Sequence, residues 1–237
     1  MKNLLTCIIM LAAFIMLSCN KEESERQMDP NYNPVINPEN FVDSVTNIFF
    51  PLKPGRIWSY QSPTEDGLET IVVTVLLEIK LIAGVKCTVV RDVVSLDGRV
   101  IEDTYDWYAQ DKDGNVWYMG EDVSNYEGGI LQDKEGSFEA GVDGAKPGIL
   151  MLANPFPEMP YRQEYYFNHA EDWGKVIAKD VSVSTTYGTF QNCLKTADWS
   201  GLEPDEPLEY KYYAPNVGLV REEIEGNSVY TDLISIE

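Results

Sequence analysis

The stretch Leu68 to Ile82, LETIVVTVLLEIKLI, constrains this chain more than any other. Ile71, Val73, Val75, Leu77, Ile79 and Leu81 recur at every second position and share one face of a strand, while Thr70, Val72, Thr74, Leu76, Glu78 and Lys80 form a mixed face. A period of two is that of a pleated strand with one face in a core. At about 3.3 Å per residue the run would span on the order of 50 Å, which an ordinary flat sheet rarely accommodates. The strand must bend, or belong to a barrel-like sheet.

Tight turns bound the run. Ala83-Gly84 leads into VKCTVVRDVVS, and Leu96-Asp97-Gly98-Arg99 leads into VIEDTYDWYA. Further strand-like runs follow as YRQEYYF, KVIAKDVSVSTTYG, TFQNCLKTAD, LEYKYYA, GLVREEIEG and SVYTDLISI, separated by turn residues. Beyond the N-terminal signal no segment keeps a helical period. The expected fold is all-β: a single antiparallel, meander-like curved sheet or an open or closed β-barrel of about ten strands. One stretch departs from this pattern, residues 136 to 160, where Gly136, Gly141, Gly144 and Gly148 are followed by Pro155, Pro157 and Pro160. It is expected to be a long loop, either a lid or a cover over one barrel end.

The first residues carry a different signal. An apolar run from Leu4 to Leu17, broken only by Thr6, is too short to span a bilayer, which takes about 20 residues, but suits a secretory signal. It ends at Met16-Leu17-Ser18-Cys19, which resembles the lipobox of bacterial lipoproteins. The resemblance implies cleavage of residues 1–18 and lipidation of Cys19. The following Asn20-Lys21-Glu22-Glu23-Ser24-Glu25 resembles an export signal to the outer face of the outer membrane. The chain is thus expected to be a lipid-anchored, surface-exposed outer-membrane protein. Residues 19–44 are read as a flexible acidic tether and 45–237 as one β domain.

Charge removes one class of partner. The chain has 39 acidic and 18 basic residues, a net charge of −21, and loss of residues 1–18, which hold one Lys, takes it to −22. So acidic a surface repels nucleic acid. Of four cysteines, Cys7 leaves with the signal and Cys19 takes lipid. Cys87 and Cys193 remain, either as a disulfide suited to an oxidising envelope or as two small buried hydrophobes.

Two stretches, Phe50-Pro51-Leu52-Lys53-Pro54-Gly55-Arg56-Ile57-Trp58-Ser59-Tyr60 and Tyr212-Tyr213-Ala214-Pro215-Asn216-Val217-Gly218-Leu219-Val220, with the Tyr187-Gly188-Thr189-Phe190 turn, resemble marks of a group of functionally uncharacterised secreted bacterial β proteins and lipoproteins. That resemblance implies a fold type and an envelope location, and no catalytic residues. Asn216 stands where such proteins often carry Gly, and Asn can adopt the left-handed turn.

Familiar enzyme chemistry finds little support. His169 is the only histidine, without a nucleophile elbow or a zinc-binding helix motif around it. Glu121, Asp122, Glu164, Glu171 and Asp172 could supply the two carboxylates of a glycosidase, yet no spacing distinguishes a pair among so many acids. No metal site and no cofactor are expected.

The segment YDWYAQDKDGNVWYMGED, residues 105 to 122, partly mimics a calcium loop through Asp111, Asp113 and Asn115. Val116 stands where that loop needs Gly, and Asp111-Lys112-Asp113-Gly114 fits a type I hairpin turn. On its flanks Trp107, Tyr108, Trp117 and Tyr118 are candidates for ligand binding or for cross-strand packing. The leading functional expectation is a noncatalytic module that binds a glycan, an apolar small molecule or an envelope protein. The alternatives are a carboxylate-dependent hydrolase and a structural envelope subunit.

Overall fold

The computed structural model describes residues 31–237. Lipidation of Cys19 and cleavage of the signal lie outside the described residues. Three short strands come first, β1 (Phe41–Val42), β2 (Val45–Asn47) and β3 (Phe50–Leu52), behind a 3-10 turn at Pro38–Asn40. A meander follows: β4 (Ile57–Thr64), β5 (Gly67–Ile82), β6 (Val85–Leu96), β7 (Arg99–Asp111) and β8 (Val116–Glu127). The middle holds β9 (Ile130–Asp133), β10 (Phe138–Glu139), β11 (Lys146–Met151), β12 (Pro160–Arg162) and β13 (Glu164–Tyr165). A second meander ends the chain: β14 (Asp172–Ser184), β15 (Thr189–Ser200), β16 (Glu209–Ala214), β17 (Gly218–Ile224) and β18 (Tyr230–Ile236).

The all-β expectation holds, but the described residues form eighteen strands where about ten were expected. The surplus consists mostly of two- to four-residue strands, too short to show a period. β18 pairs with β4, so the two meanders join into one antiparallel sheet running β12-β14-β15-β16-β17-β18-β4-β5-β6-β7-β8-β11-β13. Its two ends, β12 and β13, are consecutive in sequence with only Gln163 between them. The sheet is therefore nearly closed into a barrel, and one short piece of chain supplies both edges.

Packing at this seam is tight. A Cβ on Gly148 would lie 2.2 Å from the carbonyl carbon of Gln163, so only glycine lets β11 approach the seam so closely. Arg162 is buried beside Glu171, Nη1 to Oε2 3.7 Å, and its guanidinium lies 4.4 Å over Trp173 and 4.5 Å over Tyr165. A buried cation held between a carboxylate and ring faces retains favourable electrostatics after leaving water.

Three expectations need correction. Residues 136–160 are not a structureless loop, because β10 pairs with β8 and β11 pairs with β8 and β13, making them barrel wall. The compact unit begins at Tyr32 rather than at residue 45. Tyr32 donates its hydroxyl to the Pro147 carbonyl at 2.9 Å, and Phe41 packs edge-on against Trp117, so the latter part of the expected tether is pinned to the sheet. Cys87 and Cys193 are unpaired buried thiols. Cys193 belongs to the main core with Leu194 and Tyr213, and Cys87 to a separate cluster with Ile82, Val85 and Trp107, which keeps the two apart.

The long strand also divides its loyalties. Ile71, Val73 and Val75 serve the main core, whereas Leu77, Ile79 and Leu81 are 85%, 62% and 66% exposed. β4 stops pairing at Ile57 opposite Thr74, and a bulge follows between Val75 and Ile79. Past that point the hairpin buries its other face, where Ile82 meets Val85, Cys87 and the N-terminal Ile36 and Phe41.

Replacing Gly148 with Ala is expected to cost about 1–3 kcal/mol of stability by overpacking the seam. Gly188→Ala, at a site with open space around it, is the neutral control in urea unfolding. Thiol titration of denatured residues 31–237 without reductant is expected to count both Cys87 and Cys193.

Candidate functional site

The barrel's inward face follows from register. Trp58 pairs with Val73, Val73 with Asp92, Asp92 with Thr104 and Val90 with Asp106, so these residues point to one side of the sheet. Across the barrel, Tyr213 and Lys211 alternate inward along β16, and Lys211 pairs with Glu222 of β17. Together they surround a cavity of about 180 Å³. Its aromatic wall is Trp58, Tyr60, Tyr108 and Tyr213, and Leu52, Val73, Val90 and Leu150 add aliphatic surface. Asp92, Asp106, Glu222 and Lys211 form its charged side.

Hydrogen bonds hold the aromatic wall in place. Trp58 Nε1 donates to the Val217 carbonyl at 3.0 Å, and the Tyr60 hydroxyl donates to the Leu219 carbonyl at 3.1 Å. Tyr118 donates to Asp106 at 2.5 Å and stacks on Tyr108 with ring centres 4.9 Å apart. Asn216, with φ of 63°, makes the left-handed turn that brings Val217 and Leu219 under these donors.

The charged side is short of cations. Lys211 Nζ lies 3.0 Å from Glu209, 3.4 Å from Asp198 and 3.9 Å from Glu222. Burial alone would lower the Lys211 ammonium, but Glu209, Asp198 and Glu222 outweigh it and hold it well above its ordinary value. One ammonium does not neutralise so many carboxylates. Burial pushes Asp106 up to about 7 despite the Tyr118 hydroxyl, and pushes Glu222 up to about 7, with Glu209 adding to the effect. Glu121, beside Asp106 in register, is driven by burial to about 9. Asp92 is raised as well, first by burial and then by Asp106 and Glu222.

A larger recess of about 590 Å³ opens at the barrel end built by the β4–β5 and β17–β18 turns. Glu65, Glu69, Glu102, Glu209, Glu222 and Glu223 line it, and no Lys or Arg does so among the described residues. Glu222 lines both spaces.

The four aromatic candidates separate by face. Tyr108 lines the cavity, and Tyr118 lies behind it in the main core. Trp107 is on the outer face, under the Lys80 ammonium at 3.1 Å and in the cluster of Cys87. Trp117 is on that face too, its indole donating to Asp111 at 2.8 Å. The Asp111–Gly114 segment is a hairpin turn: Gly114 N–H donates to the Asp111 carbonyl at 3.1 Å, and Asn115 and Trp117 occupy the Asp111 carboxylate. Among the described residues no three acids, cysteines or histidines are grouped to hold a metal ion. His169 is exposed and stacks on Tyr166 at 4.4 Å.

Of the five acids considered for hydrolysis, none lines the cavity. Glu121 and Glu164 are inside the barrel near Asp106, Asp122 pairs with Lys134 outside, and Glu171 is taken by Arg162. The residues that sequence reading missed are Asp92, Asp106, Lys211 and Glu222. Their one visible mark was a charge at a core-face position, as in Val90-x-Asp92-x-Val94.

No family profile matches the chain, and no curated protein matches its sequence. Among solved structures it is similar to a protein predicted to be exported, with a YmcC-like fold, from Bacteroides fragilis NCTC 9343. That likeness has 18% identity and a TM-score of 0.45, and covers 80% of this chain and 99% of the other. A predicted lipoprotein from Parabacteroides distasonis ATCC 8503 is similar at 20% identity and a TM-score of 0.38, over 81% of this chain and 99% of the other.

The raised carboxyls set the pH response. Their folded-state pKa values exceed the unfolded ones, so the unfolded chain binds fewer protons between them and stability falls as pH rises. The loss begins near pH 4, the ordinary carboxylate range, and runs to about 7 for Asp106 and Glu222 and about 9 for Glu121. The midpoint of thermal unfolding is expected to be higher at about pH 5 than at about pH 8. Asp106→Asn should flatten the dependence, while Asp113→Asn, which removes an exposed acid, should leave it as it was.

Proposed function

We propose that this protein is a noncatalytic, lipid-anchored protein of the outer-membrane surface whose barrel takes a small ligand into its interior. The observation that supports this reading is the cavity at Trp58, Tyr60, Tyr108 and Tyr213, where aromatic and charged residues line one space inside a sheet that could have been filled with aliphatic side chains. Proteins retain such imperfectly filled, imperfectly neutralised interiors where function requires them. At about 180 Å³ the cavity admits a small molecule but not an extended glycan or a protein segment.

A hydrolase acting between two sugars is the second reading, since Asp92, Asp106 and Glu222 are carboxyls in one cavity. Two sugar rings flanking a scissile bond need more room than this space provides, which favours binding over turnover. The anchor rests on Met16-Leu17-Ser18-Cys19, and no nucleic acid is among the proposed partners.

The Trp58 indole N–H is a single reporter for the cavity. In a fragment screen by nitrogen-15 NMR, compounds of fewer than about ten heavy atoms are expected to shift it saturably, and Tyr108→Ala should weaken them at least tenfold. A screen in which no compound moves that signal would sink the reading. Cys19→Ala is expected to release the protein from membranes, read by fractionation and by loss of acyl labelling.

A further inference from the structure

We propose that the ligand of the barrel cavity is a small aliphatic amine in its protonated form, recognised by Asp92 with Asp106 and Glu222. This rests on the reading that the cavity binds a ligand. Asp92 carries the most direct sign. Its Oδ1 is shut off from solvent with no hydrogen-bond donor, while it lines the cavity beside Asp106. A buried carboxyl oxygen without a partner is costly, and an ammonium placed in the cavity would supply the counter-charge that favours the ionised form of Asp92.

The cation is not already provided by the protein. Among the described residues Lys211 is the one basic side chain lining the cavity, and its ammonium lies against Glu209, Asp198 and, at 3.9 Å, Glu222. Asp106 accepts from the Tyr118 hydroxyl, a neutral donor that brings no counter-charge. Aromatic rings suit the same guest: Trp58, Tyr60 and Tyr108 line the cavity on the side of Asp92 and Asp106, Tyr213 lines it from across the barrel, and aromatic surroundings attract a desolvated cation.

Two further features narrow the class. A bare metal ion needs several oxygens converging within about 2.0–2.6 Å of one point, and the described residues group no such set. An ammonium on a short chain reaches carboxyls spread across a wall and lays its methylenes on the rings. The space, about 180 Å³, equals roughly six waters, enough for a short-chain amine. The recess sharing Glu222 with the cavity is lined by six glutamates; Lys211 faces Glu209 and Glu222 and Lys195 faces Glu223, which leaves an excess of negative charge that attracts cations.

Titrating the folded protein at about pH 7.5 with butylammonium chloride and with 1-butanol, its uncharged counterpart of similar shape, tests the assignment. Butylammonium is expected to shift the Trp58 indole saturably and to bind at least tenfold more tightly than 1-butanol. Asp92→Asn should remove most of that preference, as should Glu222→Gln if the first variant folds poorly; Asp113→Asn should not. Equal binding of the two probes, tighter binding of 1-butanol, or an unchanged preference in Asp92→Asn and Glu222→Gln would overturn the amine assignment while leaving a ligand-binding cavity in place. A Trp58 signal that answers neither probe overturns the assignment as well; if it also ignores every compound of the fragment screen, the binding reading falls with it.

Discussion

Closure of the sheet at Gln163 is the constraint on which the rest of this structure depends. β12 and β13 are the two edges of one long antiparallel ribbon, and a single residue separates them. Bringing the two edges together at one residue shortens the exposed rows of unpaired N–H and C=O groups that an open ribbon would present. The closeness of Gly148 to Gln163, and the seating of Arg162 between Glu171 and the faces of Tyr165 and Trp173, hold that junction together.

A nearly closed sheet has an inside, and this one is not filled uniformly. Apolar residues such as Val176, Leu194, Val220 and Leu233 are fully enclosed, but Asp92, Asp106, Glu222 and Lys211 take positions in the same inward pattern. Packing alone would favour aliphatic residues there, since burying unequal numbers of acids and bases weakens the fold. The barrel tolerates that weakness around a cavity, next to a recess lined with glutamates.

Much of the architecture was legible because β structure writes its period into sequence. The strict alternation from Leu68 to Ile82, the glycine turns at Gly84 and Gly98, and the assignment of Trp107 and Tyr108 to opposite faces all follow from a two-residue repeat. Asp111 to Gly114 declared a turn through residue chemistry, and its carboxylate is spent on Asn115 and Trp117. Other features left no such trace. YRQEYYF looks like one strand but is two, because its halves pair with different partners. Leu77, Ile79 and Leu81 look like core, yet their burial depended on where β4 ended.

Local chemistry determined the class of fold, the hairpins and the two faces of each strand, since these depend on neighbours within a few residues. Only the tertiary structure decided which face was enclosed and which charges met. Asp92, Asp106, Lys211 and Glu222 lie on four strands spread over 131 positions of sequence. They share a cavity because the second meander hydrogen-bonds to the first through β18 and β4 and the ribbon curls back on itself, a long-range register that no single segment encodes.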